Sequence, residues 1–506
     1  MPMFRRKFFT SQAHPLMEPA GTHQYGVDFA SPSLAPMILR ARGDVSMTDT
    51  TTLFPFDLGD KRRNQRANRI VRAMLDNAGA SIPDAAGSRA STDATYRFLD
   101  NPNVTPENLD DAHRRDTLQR IHTALGPILI AQDTTSLDFT SPARMGTLGK
   151  LAHAKHRGFF VHSGLAMTAK GQPLGLLHQH VWMRPPEERG KRKDRRRKET
   201  ADKESQRWLD TEQACVKDLP ADRLVITMSD REGDFYDHFA MSRRTGQHVL
   251  VRAKSRRRVA ESKELLGVAI RGKPVAGTIQ VRVPRNDGQP GREATVSVRY
   301  GTYSLKPPST HPRRTELAPL PLQVVYVEEP NPPAGREPLR WLLLTTLPVT
   351  SLEEAVPVVQ WYVFRWRIER YHYVLKSGCK IEELQLETAE RLRRALALVA
   401  MVAARLLHLT YLSRQKPDVS CEPAVSTEEW EVLWRHFFPG KALPTQPPTL
   451  REAVRLIGRL GGFLGRKGDG EPGVKVLWRG LRKLENMLVG FRLAKAKDYG
   501  AQSSDE

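Results

Sequence analysis

Residues 362–376 read "YVFRWRIERYHYVLK", a basic and aromatic stretch that keeps a single carboxylate, Glu369, among Arg365, Arg367, Arg370 and Lys376. As one α-helix it advances about 100° per residue. Tyr362, Arg365, Glu369 and Lys376 then share an arc of roughly 60°. Such a stripe suits a phosphate beside a cation: Arg makes paired contacts to oxygens, Lys acts as a point charge and Tyr is a neutral donor. The same spacing also suits a ladder of i,i+4 ion pairs on a solvated face, since Arg365 and Glu369 are four apart. Spacing alone does not choose between the two.

Two further acids stand out by position. In "PILIAQDTT", residues 127–135, a strand that reads as buried has its apolar run end at Asp133. In "RLVITMSDREGDFYDHF", residues 223–239, a second strand runs into a helix with Asp230 at the junction. Taken singly, a strand-terminal Asp is more often a turn former or helix cap. An acid at the end of a buried strand is nevertheless costly unless it is hydrogen-bonded or holds a cation. Two such acids and a helical Glu can converge, and oxygen ligands of this kind suit Mg²⁺ or Mn²⁺. A pair of ions about 3.5–4 Å apart can activate water and stabilise the leaving oxygen of a phosphodiester.

The net charge of +22 favours a polyanionic partner, nucleic acid ahead of an anionic membrane. Three cysteines, Cys215, Cys379 and Cys421, lie far apart without CxxC spacing. That argues against a disulfide framework or zinc finger and for a reducing cytosol. The opening "MPMFRRKFFTSQA" lacks the apolar run of a signal peptide. The most apolar segment, "ALALVAMVAA" from Ala395, is shorter than the about 20 residues a bilayer requires and reads as a buried helix. A soluble protein without a membrane is expected.

Along the chain, residues 1–48 are rich in Pro, Ser, Thr and Gly and read as a disordered extension. Residues 49–116 read as a basic helical domain. Asp60 is a candidate N-cap, and Ala67, Ile70, Val71, Met74 and Leu75 form one stripe opposite Lys61, Arg62, Arg63, Arg66 and Arg69. Helices are also expected near "STDATYRFLDN" and "TPENLDDAHRRD". Residues 117–415 read as mixed α/β. "RGFFVHSGLAMT" and "LGLLHQHVWM" form a hairpin about Lys170-Gly171, and "GKRKDRRRK" at 190–198 forms a hydrophilic mobile loop. Strand-like segments fill about 248–348, and a Pro-rich linker, "ALPTQPPT", precedes the last helices of 416–506.

The spacing Tyr362-x2-Arg365-x3-Glu369-x6-Lys376 resembles the Y-R-E-K signature of DDE transposases of the insertion-sequence-four group, among them the transposase of transposon five. "LGDKRRNQR", "YRFLDNPNV", "QDTTSLDF", "LGLLHQHVWMRP", "SDREGDFY", "NPPAGREPLRWLLLTTLPV" and "LGGFLGRKGDGEPG" also resemble family blocks in the family's order, over about residues 50–500. The resemblance implies an α/β fold: an RNase H-like catalytic core with a β-rich insertion, an N-terminal helical DNA-binding domain and a C-terminal helical dimerisation region. It makes Asp133, Asp230 and Glu369 the catalytic triad, holding Mg²⁺ (or Mn²⁺) as two ions. It places Tyr362, Arg365 and Lys376 on the DNA phosphates and Trp341 on a flipped base. Lys254 and Arg256 would lie against DNA, and Lys61, Arg62, Arg63, Tyr96 and Arg97 would read the transposon end. The activity implied is cut-and-paste transposition through a hairpin. Its partners are double-stranded DNA, as terminal inverted repeats and target, and a second copy in a homodimer, in a bacterial cytoplasm at the nucleoid. A nuclease of the same fold without strand joining, and a non-catalytic end-binding descendant, are the alternatives.

Overall fold

The computed structural model describes residues 53–502, apart from 142–147, 152–154, 185–197, 255, 261, 263, 284–291, 423 and 467–468. The expected extension at 1–48 and nearly all of the basic loop at 190–198 lie outside the described residues.

The described chain opens with four helices: α1 (Lys61–Asp76), α2 (Ile82–Ala86), α3 (Arg89–Asp100) and α4 (Pro106–Thr123). Asp60 caps α1 as its sequence suggests, its carboxylate accepting from the Arg63 amide at 2.9 Å. Ala67, Ile70 and Val71 are buried. So is Asn68, whose side chain accepts from the Leu53 and Phe54 amides at 2.7 and 3.0 Å and ties the preceding segment down. The five-residue α2 is too short to show a period. A capping box between Thr105 and Asn108 starts α4, which runs on to Thr123, beyond the boundary expected at 116.

Ten strands then form one sheet: β1 (Ile128–Asp138), β2 (Gly149–Lys150), β3 (Arg157–Thr168), β4 (Pro173–Trp182), β5 (Val225–Ser229), β6 (Gln247–Arg252), β7 (Gly277–Val283), β8 (Arg292–Leu305), β9 (Leu320–Glu328) and β10 (Arg340–Thr345). β4 pairs antiparallel with β3 and β3 with β1, whereas β1, β5 and β6 are mutually parallel neighbours. The order β4-β3-β1-β5-β6 with that change of direction is the RNase H-like arrangement. β6 therefore belongs to the core, not to the insertion expected from about 248. The inserted strands extend the same sheet, because β10 pairs antiparallel with β6.

The hairpin between β3 and β4 turns at Gly171, with φ of 76°. A Cβ there would come within 2.6 Å of the Phe364 ring, so only glycine closes this turn against the helices beyond it.

Helices α5 (Gln206–Val216), α6 (Tyr236–Ala240) and α7 (Leu266–Arg271) lie between strands. After β10 come α8 (Leu352–Phe364), α9 (Arg367–Tyr373), α10 (Ala389–Gln415), α11 (Thr427–Phe437), α12 (Leu450–Leu460) and α13 (Val474–Gln502). By length and composition α10 could cross a membrane, but 72% of its apolar window is buried inside this fold. Arg391 and Arg394 tie it to the N-terminal helices, donating to Asp100 (2.6 Å) and to the Val104 carbonyl (2.6 Å). A second apolar core, including Trp430, Leu433, Val454, Ile457 and Leu484, joins α11, α12 and α13.

Where α4 meets β4, His113 accepts from the Leu176 amide at 3.4 Å. Burial, with Arg120 nearby, pushes its pKa down to about 3, so it stays neutral in the fold. The unfolded chain protonates this ring below about pH 6.5, so His113 subtracts about 1.4 kcal/mol of stability per pH unit from there downward. His113→Gln keeps an acceptor but cannot titrate. Its melting temperature is expected to fall less than that of the wild type between pH 6.5 and 5, measured by thermal melts in matched buffers.

Candidate active site

β1 and β5 run in register up to Ala131↔Met228, their last paired step. Two residues further along the chain stand Asp133, still within β1, and Asp230, the first residue after β5. They are near enough for the Asp230 charge to act on the Asp133 carboxyl. Asp133 does not end its strand, contrary to the expectation from its apolar run. β1 continues to Asp138 because β3 pairs along its whole length, with Asp133 opposite Ser163. Each acid is held by a main-chain amide: Asp133 Oδ1 accepts from Thr134 N and Asp230 Oδ1 from Glu232 N, both at 2.8 Å. Asp230 caps the single helical turn Arg231–Gly233. That turn closes tightly because Gly233 has no Cβ, which would fall 2.1 Å from Ser229 Oγ.

The stretch that carries Glu369 is not the single straight helix expected. α8 ends at Phe364, and the bonds Arg365 N to Tyr362 O (3.1 Å) and Ile368 N to Arg365 O (3.2 Å) tighten the chain before α9 begins. A π-helical turn, Val374–Gly378, follows α9. The stripe geometry therefore does not hold along its full length, yet its residues still gather. Arg365 Nη2 donates to Glu369 Oε1 at 2.7 Å, and the guanidinium lies 5.8 Å from the centre of the Tyr362 ring. The i,i+4 ion pair thus exists, but not on a solvated face: the Arg365 side chain is only 6% exposed and that of Glu369 37%. Asp133, Thr134, Glu369, His372, Tyr373 and Lys376 line a cleft of about 310 Å³. Lys376 stands at its rim, 3.3 Å from Glu382.

Burial, reinforced by Asp230 and Glu369, pushes the Asp133 carboxyl up to about 7 against the opposing pull of Arg365. Burial and Asp230 likewise raise Glu369 above the usual carboxylate range. Arg365 is held charged: burial opposes its charge, but Tyr362, Glu369 and Asp133 outweigh it. Asp133 and Glu369 in the cleft, with the charge of Asp230 acting on both, make an oxygen-only donor set whose mutual repulsion a divalent cation would relieve. Among the described residues, no three His, Cys, Asp or Glu side chains are gathered closely enough to hold a metal by themselves. Glu369 is bonded to Arg365, Asp133 to the Thr134 amide and Asp230 to the Glu232 amide.

Three family models match the chain in succession: a transposase DNA-binding model over residues 50–104, a transposase DDE domain over 182–404, and a transposase Tn5 dimerisation domain over 401–501. The chain belongs to the Tn5-like DDE transposases. A DNA-binding region, a catalytic DDE region and a dimerisation region accordingly follow one another in the transposase, with DNA and a second copy of the chain as partners. The DDE match contains Asp230 and Glu369, whereas Asp133 lies ahead of it.

The remaining sequence candidates are dispersed over the transposase. Trp341 is 7% exposed and packs edge-on against Tyr362, with ring centres 5.5 Å apart, so its place is a core position bordering the cleft helices. Tyr362 is buried too. Lys254 donates from Nζ to the Asp234 carbonyl at 2.8 Å, while Arg256 is exposed beside it. Lys61, Arg62 and Arg97 are exposed and Arg63 and Tyr96 half-buried, on α1 and α3, and none of them lines the cleft.

Sequence reading missed three residues of the transposase that organise this region. Asp234 is buried and bonded by the Lys254 amide (2.6 Å) and by Arg257 Nε (2.9 Å). Its signal was available: it is the second aspartate of "SDREGD". Glu212 and Arg207 on α5 carried none, being charged residues in a charged helix.

Proposed function

We propose that this transposase cuts and pastes DNA. In this reading water nicks one strand at the transposon end, and the freed 3′-hydroxyl attacks the opposite strand to give a hairpin that water reopens. The same hydroxyl then joins target DNA. The observation that carries the reading is the shared register of Asp133 and Asp230 at the parting of β1 and β5, with Glu369 opening onto the same cleft. These three residues would hold Mg²⁺ or Mn²⁺, two ions per site, which when bound lower the pKa of water and neutralise a phosphate.

The chain's own residues do the rest. Lys376 at the cleft rim and Arg365 beside Glu369 grip the phosphate, and Tyr362 orients Arg365. Trp341 stacks on an extruded base once its edge is uncovered. Lys254 and Arg256 hold the flank of the duplex. Lys61, Arg62 and Arg63 meet backbone phosphates at the start of α1, and Tyr96 and Arg97 on α3 assist in end recognition. End recognition is assigned to 49–116, chemistry to 117–415 and pairing of two ends to the helices of 416–506. The setting is a bacterial chromosome in the cytoplasm.

The test is incubation of the purified protein with linear DNA ending in the inverted repeats that flank its gene, with Mg²⁺, Mn²⁺ or chelator. Metal-dependent nicks, a hairpin and joined product are expected. Cuts without hairpin or joining would indicate a nuclease, and binding without cuts an end-binding descendant.

A further inference from the structure

Asp133 in the cleft and Asp230 near it are each fixed by the amide of a neighbouring residue, Thr134 for Asp133 and Glu232 for Asp230. One side chain joins those two neighbours. Arg207, at the start of α5, donates from Nε to Thr134 Oγ1 at 3.1 Å and from Nη2 to the Glu232 carboxylate at 3.2 Å. Its third nitrogen is anchored on the turn that leads into α5, Nη1 donating to the Glu204 carbonyl at 2.6 Å. Thr134 Oγ1 is also bonded to His162 Nδ1 at 2.8 Å, so the hydroxyl is held from both sides. The Arg207 side chain is 13% exposed and lies near the Trp182 and Trp208 rings, 5.4 and 5.6 Å from their centres.

From this geometry we propose that Arg207 is a positioning residue that sets the spacing of Asp133 and Asp230 by bridging Thr134 and Glu232. The inference rests on the proposed role of the two aspartates. The planar guanidinium suits the task because its donors diverge in fixed directions, which the ammonium of a lysine cannot reproduce. β1 and β5 are unpaired beyond Ala131 and Met228, so no main-chain bond between them fixes the two carboxylates there. Arg207 supplies the missing cross-link. Its alternative role, gripping DNA directly, is disfavoured because each of its three nitrogens already donates to a protein group.

The experiment compares wild type, Arg207→Gln and Arg207→Lys in Mn²⁺ titrations followed by electron paramagnetic resonance, and in cleavage of the terminal DNA as a function of Mn²⁺. Arg207→Gln is expected to need about tenfold more Mn²⁺ in both assays, equivalent to about 1.4 kcal/mol. End binding and melting temperature should stay close to wild type, and Arg207→Lys should recover part of the metal response. An unchanged metal requirement in a folded Arg207→Gln would overturn the inference, as would weakened end binding with normal metal response, which would make Arg207 a DNA contact. Absence of Mn²⁺ binding or cleavage by the wild type would instead count against the reading of the aspartates.

Discussion

Asp133→Ala, Asp230→Ala and Glu369→Ala are each expected to lower cleavage of terminal DNA by about 10³-fold or more, roughly 4 kcal/mol of barrier. Binding to the same DNA should remain within about threefold of wild type or tighten slightly. The sign of the binding change follows from the electrostatics. Each acid raises the cost of bringing phosphate into the cleft, so removing one relieves repulsion while Lys376 and Arg365 stay in place. Groups that act together on one centre also lose most of their effect when any one is removed. A double variant should therefore be scarcely worse than a single one. Gel-shift titration and single-turnover cleavage on one DNA preparation measure both quantities. Any one variant retaining a tenth of wild-type cleavage would falsify the assignment of that residue.

The parts of the fold that the sequence makes legible are those with strong local signals. Asp60 before an apolar stripe gives α1, and Lys170-Gly171 between two apolar runs gives the β3–β4 hairpin. Signals that depend on distant pairing fail. β1 passes through Asp133 because β3 offers it a partner up to Asp138. β6 looks like the first strand of an insertion, and only its parallel ladder with β5 makes it core.

The site divides in the same way. Asp230 and Glu369 sit in recognisable motifs, while the register that brings Asp133 beside Asp230 exists only in the assembled sheet. Arg207 and Glu212 are illegible for another reason. A charged residue on a half-exposed helix is usually solvated, and nothing local marks these two as buried against other elements.

Arg207 and Glu212 share α5, and together they show how this helix serves the site. At one end Arg207 joins β1 at Thr134 to the turn after Asp230 at Glu232; further along, Glu212 anchors the chain that leaves Asp230. Glu212 is fully buried and accepts from Arg243 Nε (2.7 Å), Arg243 Nη2 (3.0 Å) and Gln247 Nε2 (2.8 Å), with His238 Nε2 at 3.0 Å. His238 Nδ1 lies 2.8 Å from the carbonyl of Gly233, in the turn that Asp230 caps. The carboxylate thus connects α5 to α6, to the start of β6 and to the turn that Asp230 caps.

Removing that carboxylate should have the largest effect on stability of any single change considered. Glu212→Leu leaves the Arg243 guanidinium buried without its partner, and breaking a buried pair in this way costs about 3–5 kcal/mol. By contrast, the Arg340–Glu328 pair, in which Arg340 is 59% exposed, should yield at most about 1 kcal/mol on Glu328→Ala. Glu212 also makes the comparison pH-dependent. Burial alone would raise its carboxyl, but His238 and Arg243 reverse this and hold it below the usual value of 4.5. The stability it contributes is therefore present above that value and lost as pH falls through the lower folded one. Hydrogen exchange at the β5 and β6 amides measures the local effect directly. Protection there should drop by about two to three orders of magnitude in Glu212→Leu at pH 7, and the gap from wild type should narrow below pH 4. A loss under tenfold at pH 7, or a gap that does not change with pH, would mean that α5 is held by apolar packing through Trp208 and Cys215 rather than by this carboxylate.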